Sequence, residues 1–187
     1  TARSMNNLAQ INAALGNTGE AERMLIGSIE ITEKVSGRDH PDLLPALRNL
    51  AALYAASSDL DRSEIFYRRL VSILEKSDGA GEGIAGTTAG SEGMAALATA
   101  LSSLAGVLET GGRLGEALEL REHALAVLEQ AGRMRSAEGP PGSGPGGDGS
   151  PGGGSRDGGS WGDLIEEARG SLRRLRDNVA ATLNNRG

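Results

Sequence analysis

The sequence predicts an all-α protein in which antiparallel helix pairs stack one after another. Three observations support this fold class. A short motif recurs along the chain, apolar residues follow a helical period within each copy, and runs of β-branched residues are scarce. Aromatic residues make up only 2% of the 187 residues, so Leu, Ala, Ile and Val must fill the core.

The recurring motif has two anchors that keep the same spacing. Residues 5–9 read Met-Asn-Asn-Leu-Ala, and they are echoed at 47–51, 42 positions later, and again at 101–105, a further 54 positions along. The excess of 12 coincides with a Gly-rich run at 78–93. A second anchor, Gly-Glu-Ala-Glu at 19–22, is echoed at 61–64 and 115–118. Because both anchors move together, the pattern indicates true internal repeats.

Each repeat has the apolar spacing of two helices. In the second unit Leu47, Leu50 and Tyr54 keep to steps of three and four, and a further apolar set follows a break at 57–59. We therefore expect helices near Ala2–Leu15, Gly19–Val35, Pro41–Ser57, Leu60–Lys76, Met94–Thr110, Leu114–Gly132 and Trp161–Asn184.

The joint between the first two units carries helix start and stop signals. Gly37 can end one helix in a left-handed conformation. Asp39 can cap the next helix, and Pro41 supplies a pre-set φ in its first turn.

The predicted organisation is a set of repeats, a loop and a closing helix. Repeats at about 1–40, 41–93 and 94–135, with the Gly-rich insert at 78–93, are followed by a Gly/Pro/Ser-rich flexible loop at 136–160. Residues 161–187 form a C-terminal helix, either a partial fourth repeat or a cap. We expect this helix to dock on the repeats because it carries one apolar stripe. The stripe consists of Trp161, Leu164, Ile165, Ala168, Leu172, Leu175 and Val179.

Charge argues against nucleic acid as a partner. The net charge is −6 and no Lys/Arg block exceeds two residues, whereas phosphate binding needs a basic face. A local exception on the last helix is expected to be a solvated face paired with Glu166 and Glu167. It consists of Arg169, Arg173, Arg174 and Arg176.

No membrane span or secretory signal is expected either. No uncharged stretch is longer than Gly93 to Leu108, and this is shorter than the roughly 20 residues that a bilayer span needs. We expect a cytoplasmic protein. The chain opens at Thr1 without Met, which suggests a fragment of a longer protein.

Catalytic and cofactor signals are weak. The chain has no cysteine, which excludes disulfides and thiolate sites, and its two histidines, His40 and His123, have no converging ligands in the sequence. A G-x-G-x-x-G match at 81–86 follows a predicted helix rather than a strand, so a flexible insert is expected there. We expect neither enzymatic activity nor a cofactor nor a metal.

The repeats resemble a known family. Asn49-Leu50-Ala51 with Tyr54, and the joint at 33–41, Glu-Lys-Val-Ser-Gly-Arg-Asp-His-Pro, are similar to the 42-residue tetratricopeptide repeat variant of kinesin light chains. Asn12 and Leu108 stand where that variant prefers Tyr, and Arg121 stands at an aromatic position. The resemblance implies a right-handed superhelical α-solenoid of about three repeats plus a C-terminal helix, acting as an adaptor or scaffold.

The resemblance also implies a concave groove lined by the first helix of each pair. Independently, polar residues recur beside a buried Leu on these helices, and an asparagine amide can both donate to and accept from a peptide backbone. The candidate groove residues are Arg3, Asn6, Asn7, Gln10, Arg48, Asn49, Ser102 and Ser103. The alternative is that Asn7 and Asn49 tie neighbouring helices together.

Two functions remain open at this point. The leading hypothesis is a non-catalytic module that binds a protein or extended peptide in the groove. The alternative is a structural solenoid segment of a larger signalling or cytoskeletal protein that associates, or self-associates, through its ends.

Overall fold

Helices account for all the regular structure in the described part of the chain. The computed structural model describes residues 1–79, 90–138 and 161–184, and no strand occurs in these ranges. The predicted all-α class is confirmed. The helices are α1 Ala2–Ala14, α2 Thr18–Ser36, α3 Leu44–Ala56, α4 Leu60–Gly79, α5 Ser91–Thr110, α6 Leu114–Glu138 and α7 Trp161–Asn184, with a 3₁₀ turn at Pro41–Leu43 before α3.

The helices form a serial stack of pairs. α1 packs on α2, α3 on α4, and α5 on α6, while α2 meets α3 and α4 meets α5. α7 follows on α6. Since each helix meets its sequence neighbours, no hairpin buries its apolar side alone. The predicted architecture of three pairs and a closing helix is confirmed.

The three hairpins close with the same turn. The three-residue connections between paired helices each carry one residue with positive φ: Gly16 (80°), Ser58 (62°) and Gly112 (78°). In every case the next amide donates to the carbonyl five residues back, and the first of these bonds joins Asn17 N to Asn12 O at 2.9 Å. This is the Schellman ending of a helix. The turns thus repeat at the spacing of the motif.

The joint at residues 37–43 differs from the expectation in one respect. Asp39 is not the helix cap. His40 holds that position, and its Nδ1 accepts a hydrogen bond from the Asp42 amide at 3.2 Å. The reason is that Pro41 keeps the residue before it extended, which places His40 at the cap. Asp39 instead pairs with Lys76 on α4, with Oδ2 2.7 Å from Nζ.

The core is aliphatic, as the composition requires. The largest fully buried side chains include Leu25 of α2, Leu47 of α3 and Leu101 of α5. One aromatic pair joins α3 to α4, where the rings of Tyr54 and Phe66 stack with centroids 5.6 Å apart. The core therefore runs continuously through the stack rather than forming separate centres.

Three helices are longer than expected. α4 continues past Lys76 to Gly79, α5 begins at Ser91 rather than near Met94, and α6 continues past Gly132 to Glu138. Good helix formers at 133–138 explain the third extension, and α6 ends just before Gly139-Pro140. Residues 80–89 of the Gly-rich insert, with the G-x-G-x-x-G match, and residues 139–160 of the flexible loop lie outside the described residues.

α5 is the most apolar of the described helices. By length and composition alone Ser91–Thr110 could cross a membrane, and it is the single described helix that meets this test. Its buried side chains, such as Leu97, Leu101 and Leu104, pack in the core, and α5 meets both α4 and α6. The apolar character of α5 therefore has a structural role inside the stack.

α7 docks on α6 through its apolar stripe. Leu172 and Leu175 are buried, whereas Leu164 at the edge of the stripe is exposed. The guanidinium of Arg135 lies over the Trp161 ring at 5.9 Å. The described contacts thus hold both the apolar and the aromatic part of α7 against the stack.

Ion pairs flank the α6–α7 contact. Arg169 pairs with Glu129 of α6 at 2.8 Å and with Glu166 of its own helix at 2.7 Å, while Arg176 pairs with Glu122 at 2.7 Å. The rest of the basic cluster, Arg173 and Arg174, is exposed. The expected solvated face is therefore only partly paired, and mainly with α6.

The shared turn predicts that substitutions at Ser58 and Gly112 change the free energy of unfolding in opposite directions. A left-handed backbone costs a residue with a Cβ about 1–2 kcal/mol, and the extra freedom of glycine in the unfolded chain offsets about half of that. We expect Ser58→Gly to raise the free energy of unfolding by about 0.5–1 kcal/mol, and Gly112→Ala to lower it by about 1 kcal/mol. Urea unfolding followed by circular dichroism measures both.

The neighbouring serine is the matched control for this test. Ser57 has φ −87°, so Ser57→Gly relieves no strain and is expected to leave the urea midpoint unchanged or lower. A lower midpoint for Ser58→Gly than for the unaltered chain would contradict the turn geometry.

Candidate partner-binding groove

A groove of about 560 Å³ opens across the first five helices. The first helices of the three pairs contribute residues to its wall, and α2 and α4 contribute to its floor. The lining from α1, α3, α5 and the 3₁₀ turn comprises Ala2, Arg3, Asn6, Asn7, Pro41, Asp42, Leu44, Pro45, Ala46, Arg48, Ala96, Thr99, Ala100 and Ser103. The lining from α2 and α4 comprises Ser28, Thr32, Tyr67, Leu70 and Leu74.

Five of the eight candidate groove residues line this groove. They are Arg3, Asn6, Asn7, Arg48 and Ser103. The other three, Gln10, Asn49 and Ser102, are not part of its lining. Both motif asparagines of α1 line the groove, whereas α3 contributes only Arg48 and α5 only Ser103 from the same two motif positions. Equivalent positions in the repeats therefore face in different directions.

Two asparagines join the first helices of neighbouring units. Asn49 Nδ2 donates to Asn6 Oδ1 at 2.9 Å, and Asn6 is buried to 8% exposure. Asn49 therefore ties α3 to α1, which is the alternative role considered for it, but its partner is Asn6 rather than Asn7. Within the described residues the Asn6 amide nitrogen makes no hydrogen bond, and it lies at the groove.

Two hydroxyls of α2 are used within the fold. Ser28 Oγ donates to the Ala2 carbonyl at 2.8 Å, and Thr32 Oγ1 donates to the Ser28 carbonyl at 2.9 Å. Because these donors are occupied, Ser28 and Thr32 give the floor a polar lining but offer a ligand only their acceptor lone pairs.

Tyr67 of α4 lines the groove but was not among the candidate groove residues. It is buried, and burial raises the pKa of its phenol. The Ser103 hydroxyl and the Arg48 charge oppose that increase, which places both groups near the phenol. The signal in the sequence was the type of residue, since a tyrosine on a buried helical face needs a partner for its hydroxyl.

The two arginines in the groove differ from most other arginines of the described residues in having no ion pair. Arg3 and Arg48 are exposed and form no ion pair within the described residues. Most other arginines among the described residues form ion pairs, as Arg69 does with Glu33 at 2.5 Å. One acid, Asp42, also lines the groove, and its Oδ2 lies 3.7 Å from His40 Nδ1. The groove therefore presents two unpaired guanidinium groups above a buried floor that is part apolar and part hydroxyl-bearing.

A network outside the groove joins the second and third units. Glu64 of α4 binds Arg68 at 2.8 Å and Arg113 at 2.7 Å, and Arg113 also binds Glu116. The Arg113 guanidinium holds the pKa of the Glu116 carboxyl below its usual range. These pairs satisfy one another, so they fix the two units together rather than offering free charge.

The described residues show no arrangement typical of a metal or catalytic centre. No group of three His, Cys, Asp or Glu side chains that could hold a metal ion occurs among them. His123 is exposed on α6.

Comparisons with known proteins identify the class of repeat. A family model described as tetratricopeptide repeat matches residues 1–76. The match covers the first two helix pairs, and the serial pairs of the described chain have the same tetratricopeptide-type α-solenoid fold, which generally serves protein interaction.

Solved structures of other repeat proteins share this fold. BtubC (BKLC) from P. vanneervenii has a TM-score of 0.57 and 14% identity, and the match covers 96% of this chain and 64% of BtubC. A kinesin light chain-like protein of Podosopora anserina with nearly identical TPR-like repeats has a TM-score of 0.50 and 18% identity, with 96% and 95% covered. The predicted resemblance to kinesin light chain-like tetratricopeptide repeats is therefore confirmed. No protein matched in the comparison with curated sequences.

The asparagine pair predicts unequal effects of two similar substitutions. Asn49→Ala removes the donor to a buried acceptor, so we expect the free energy of unfolding to fall by about 1 kcal/mol. Asn7→Ala removes an exposed side chain and is expected to change it by less than about 0.5 kcal/mol. Equal urea midpoints for the two variants would argue against the Asn6–Asn49 hydrogen bond.

The two tyrosines of the chain predict that its stability falls at alkaline pH. Burial raises the pKa of Tyr67 and of Tyr54, and the hydrogen bond from Tyr54 to Glu22 adds to the increase for Tyr54. The unfolded chain loses its phenolic protons first. The free energy of unfolding should therefore fall as pH rises above the ordinary tyrosine pKa of about 10.

Ultraviolet absorbance of the phenolate measures this titration in the folded and the urea-unfolded chain. Tyr67→Phe should leave a single folded-state transition, that of Tyr54. Phenols that titrate alike in the folded and the unfolded chain would contradict the buried position of Tyr67.

Proposed function

We propose that this chain is a non-catalytic protein-interaction module that binds an extended peptide or protein segment in the groove. The observation that carries the proposal is the placement of two unpaired arginines and two motif asparagines around one groove of about 560 Å³. Elsewhere in the described part of the chain, most arginines are used in ion pairs between or within helices.

The groove offers each kind of contact that a peptide needs. The Asn6 and Asn7 amides can bond to backbone groups of an extended chain. Arg48 and Arg3 can each form a charge-assisted hydrogen bond with a carboxylate. Leu70 of α4 is buried in the floor, where an apolar side chain of the peptide can pack.

The size of the groove fits a short segment of chain. Sites for small ligands span roughly 300–1,000 Å³, and an extended chain advances about 3.3 Å per residue. The groove therefore accommodates a few consecutive residues rather than a folded domain. A cytoplasmic protein partner is the natural source of such a segment, and neither nucleic acid nor a lipid bilayer supplies one.

Peptide selection followed by matched variants tests the proposal. Peptides selected from a random display library on the unaltered chain are labelled, and their dissociation constants are measured by fluorescence anisotropy. We expect Arg48→Ala to weaken binding roughly tenfold or more, as for loss of a charged hydrogen bond, and Asn7→Ala to weaken it several-fold. Both sites are exposed, so the fold should persist.

Arg173→Ala is the control, since Arg173 is an exposed arginine on the outer side of α7. Its affinity for the selected peptides should equal that of the unaltered chain. Peptides that bind all three variants equally well would place the binding site away from the groove.

A second candidate function is structural association through the ends of the stack. The observation that favours it is an apolar face of α1 that remains exposed, formed by Leu8, Ile11 and Leu15. In this role the chain acts as a segment of a larger assembly, and the groove is secondary.

A further inference from the structure

The outer face of α1 has the composition of an interior surface. Leu8 is 48% exposed, Ile11 is 57% exposed, and Leu15 is more exposed still. They lie three, four and seven positions apart, so they form one stripe along the helix. We call this stripe the α1 outer face.

The equivalents of Leu8 in the later units are buried, and those of Ile11 are buried or partly buried, whereas those of Leu15 are the exposed turn residues Ser57 and Gly111. Leu50 and Leu104 stand where Leu8 stands in the repeat, and they are exposed to 0% and 2%. Val107, the counterpart of Ile11, is also buried. These residues lie in α3 and α5, on which the second helix of the preceding pair packs. The α1 outer face is thus the same inter-repeat surface without a helix on it in the described structure.

The other end of the stack is different. α7 turns its apolar stripe toward α6. Most of its exposed residues are polar or charged, including Glu166, Arg173, Arg174 and Asp177, and the two exposed leucines, Leu164 and Leu183, lie far apart on the helix. A polar outer face is how a repeat stack is closed at a terminus. Of the two ends of the stack that the structure describes, the α1 end therefore carries the continuous apolar stripe.

We infer that the α1 outer face binds the same face of a second copy, in a closed head-to-head dimer. A head-to-tail contact would require the α7 end to match an apolar stripe, and its exposed charges do not. A two-fold contact uses one surface twice and closes after two chains. This inference rests on the second proposed function, association through the ends, and not on peptide binding in the groove.

Electrostatics permits this contact. Each chain carries a net charge of −6, which opposes association in general. However, the residues beside the stripe on α1 are uncharged, with Ser4 and Asn12 flanking it, and α1 contains a single charged side chain, Arg3 at its start. Two copies of α1 can therefore meet without bringing carboxylates together.

Sedimentation equilibrium of the full 187-residue chain tests the dimer. We expect a monomer–dimer equilibrium at micromolar concentrations without larger species. Ile11→Asp should raise the dimer dissociation constant at least tenfold, because it places a carboxylate in each half of an apolar contact. Ile65→Asp is the matched control, since Ile65 is a similarly exposed isoleucine on α4, and it should dimerise as the unaltered chain does.

A cross-link gives an independent readout. Because the chain has no cysteine, Ile11→Cys introduces a single thiol near the middle of the α1 outer face. Mild oxidation should convert this variant to a disulfide-linked dimer, whereas Ile65→Cys should remain largely monomeric. Circular dichroism confirms that each variant is folded.

The outcomes are distinct. A chain that stays monomeric at all concentrations, one that grows into longer oligomers, or one whose dimer is unaffected by Ile11→Asp would overturn the inference. Groove-selected peptides should bind Ile11→Asp with unchanged affinity, so a failure of dimerisation leaves the groove proposal standing, and loss of peptide binding leaves the dimer standing.

Discussion

Packing of the second helix of one pair on the first helix of the next is the contact on which the rest of the structure depends. It buries Leu50 and Leu104 at equivalent positions of α3 and α5. A two-helix hairpin has too little interior to bury its apolar side, so each pair is stable only through this contact with its neighbour. The same contact sets the first helices of successive pairs side by side. The groove lies between these first helices and the second helices α2 and α4. This stacking also leaves an apolar face on α1, which has no preceding helix on it in the described structure.

Polar contacts then fix how each pair sits on the next. The Tyr54 hydroxyl donates to Glu22 at 2.6 Å between α3 and α2, and Arg113 bridges to Glu64 at 2.7 Å between the third and second units. Exposed ion pairs contribute little to stability individually, about 0–1 kcal/mol. They are directional, however, and a rotation of one pair relative to the next would break several at once. The groove residues keep their relative positions for this reason, while Arg3 and Arg48 remain unpaired.

Many of the described charged side chains lie on one of two kinds of surface: contacts between helices, where they are paired, and the groove, where Arg3 and Arg48 are not. Where arginines and carboxylates meet, as at Arg169 and Glu129, the contact holds helices together. Where they do not meet, around the groove, charge is available to a partner. Apolar surface divides in the same way, because the stripe of α7 is used against α6 whereas the stripe of α1 is not.

The sequence by itself determined the helices, their pairing and the turns, because these depend on neighbours only a few residues apart. The motif spacing placed Gly16, Ser58 and Gly112 at equivalent points, and the structure gives all three the same left-handed turn. The motif also selected Arg48, since polar residues that recur beside a buried leucine must face solvent or a groove. Arg3 was selected because it lies one turn away from the motif of α1.

Tertiary structure alone decided which polar residues face inward and which face one another. Asn49 binds Asn6 instead of lining the groove, Asp39 pairs with Lys76 instead of capping a helix, and Tyr67 reaches the groove from α4. Each of these outcomes depends on the rotation of one helix relative to another that lies about 30–60 residues away. Helical periodicity predicts on which face of its own helix a residue lies. Its distance from a residue on another helix is determined only when the helix pairs stack.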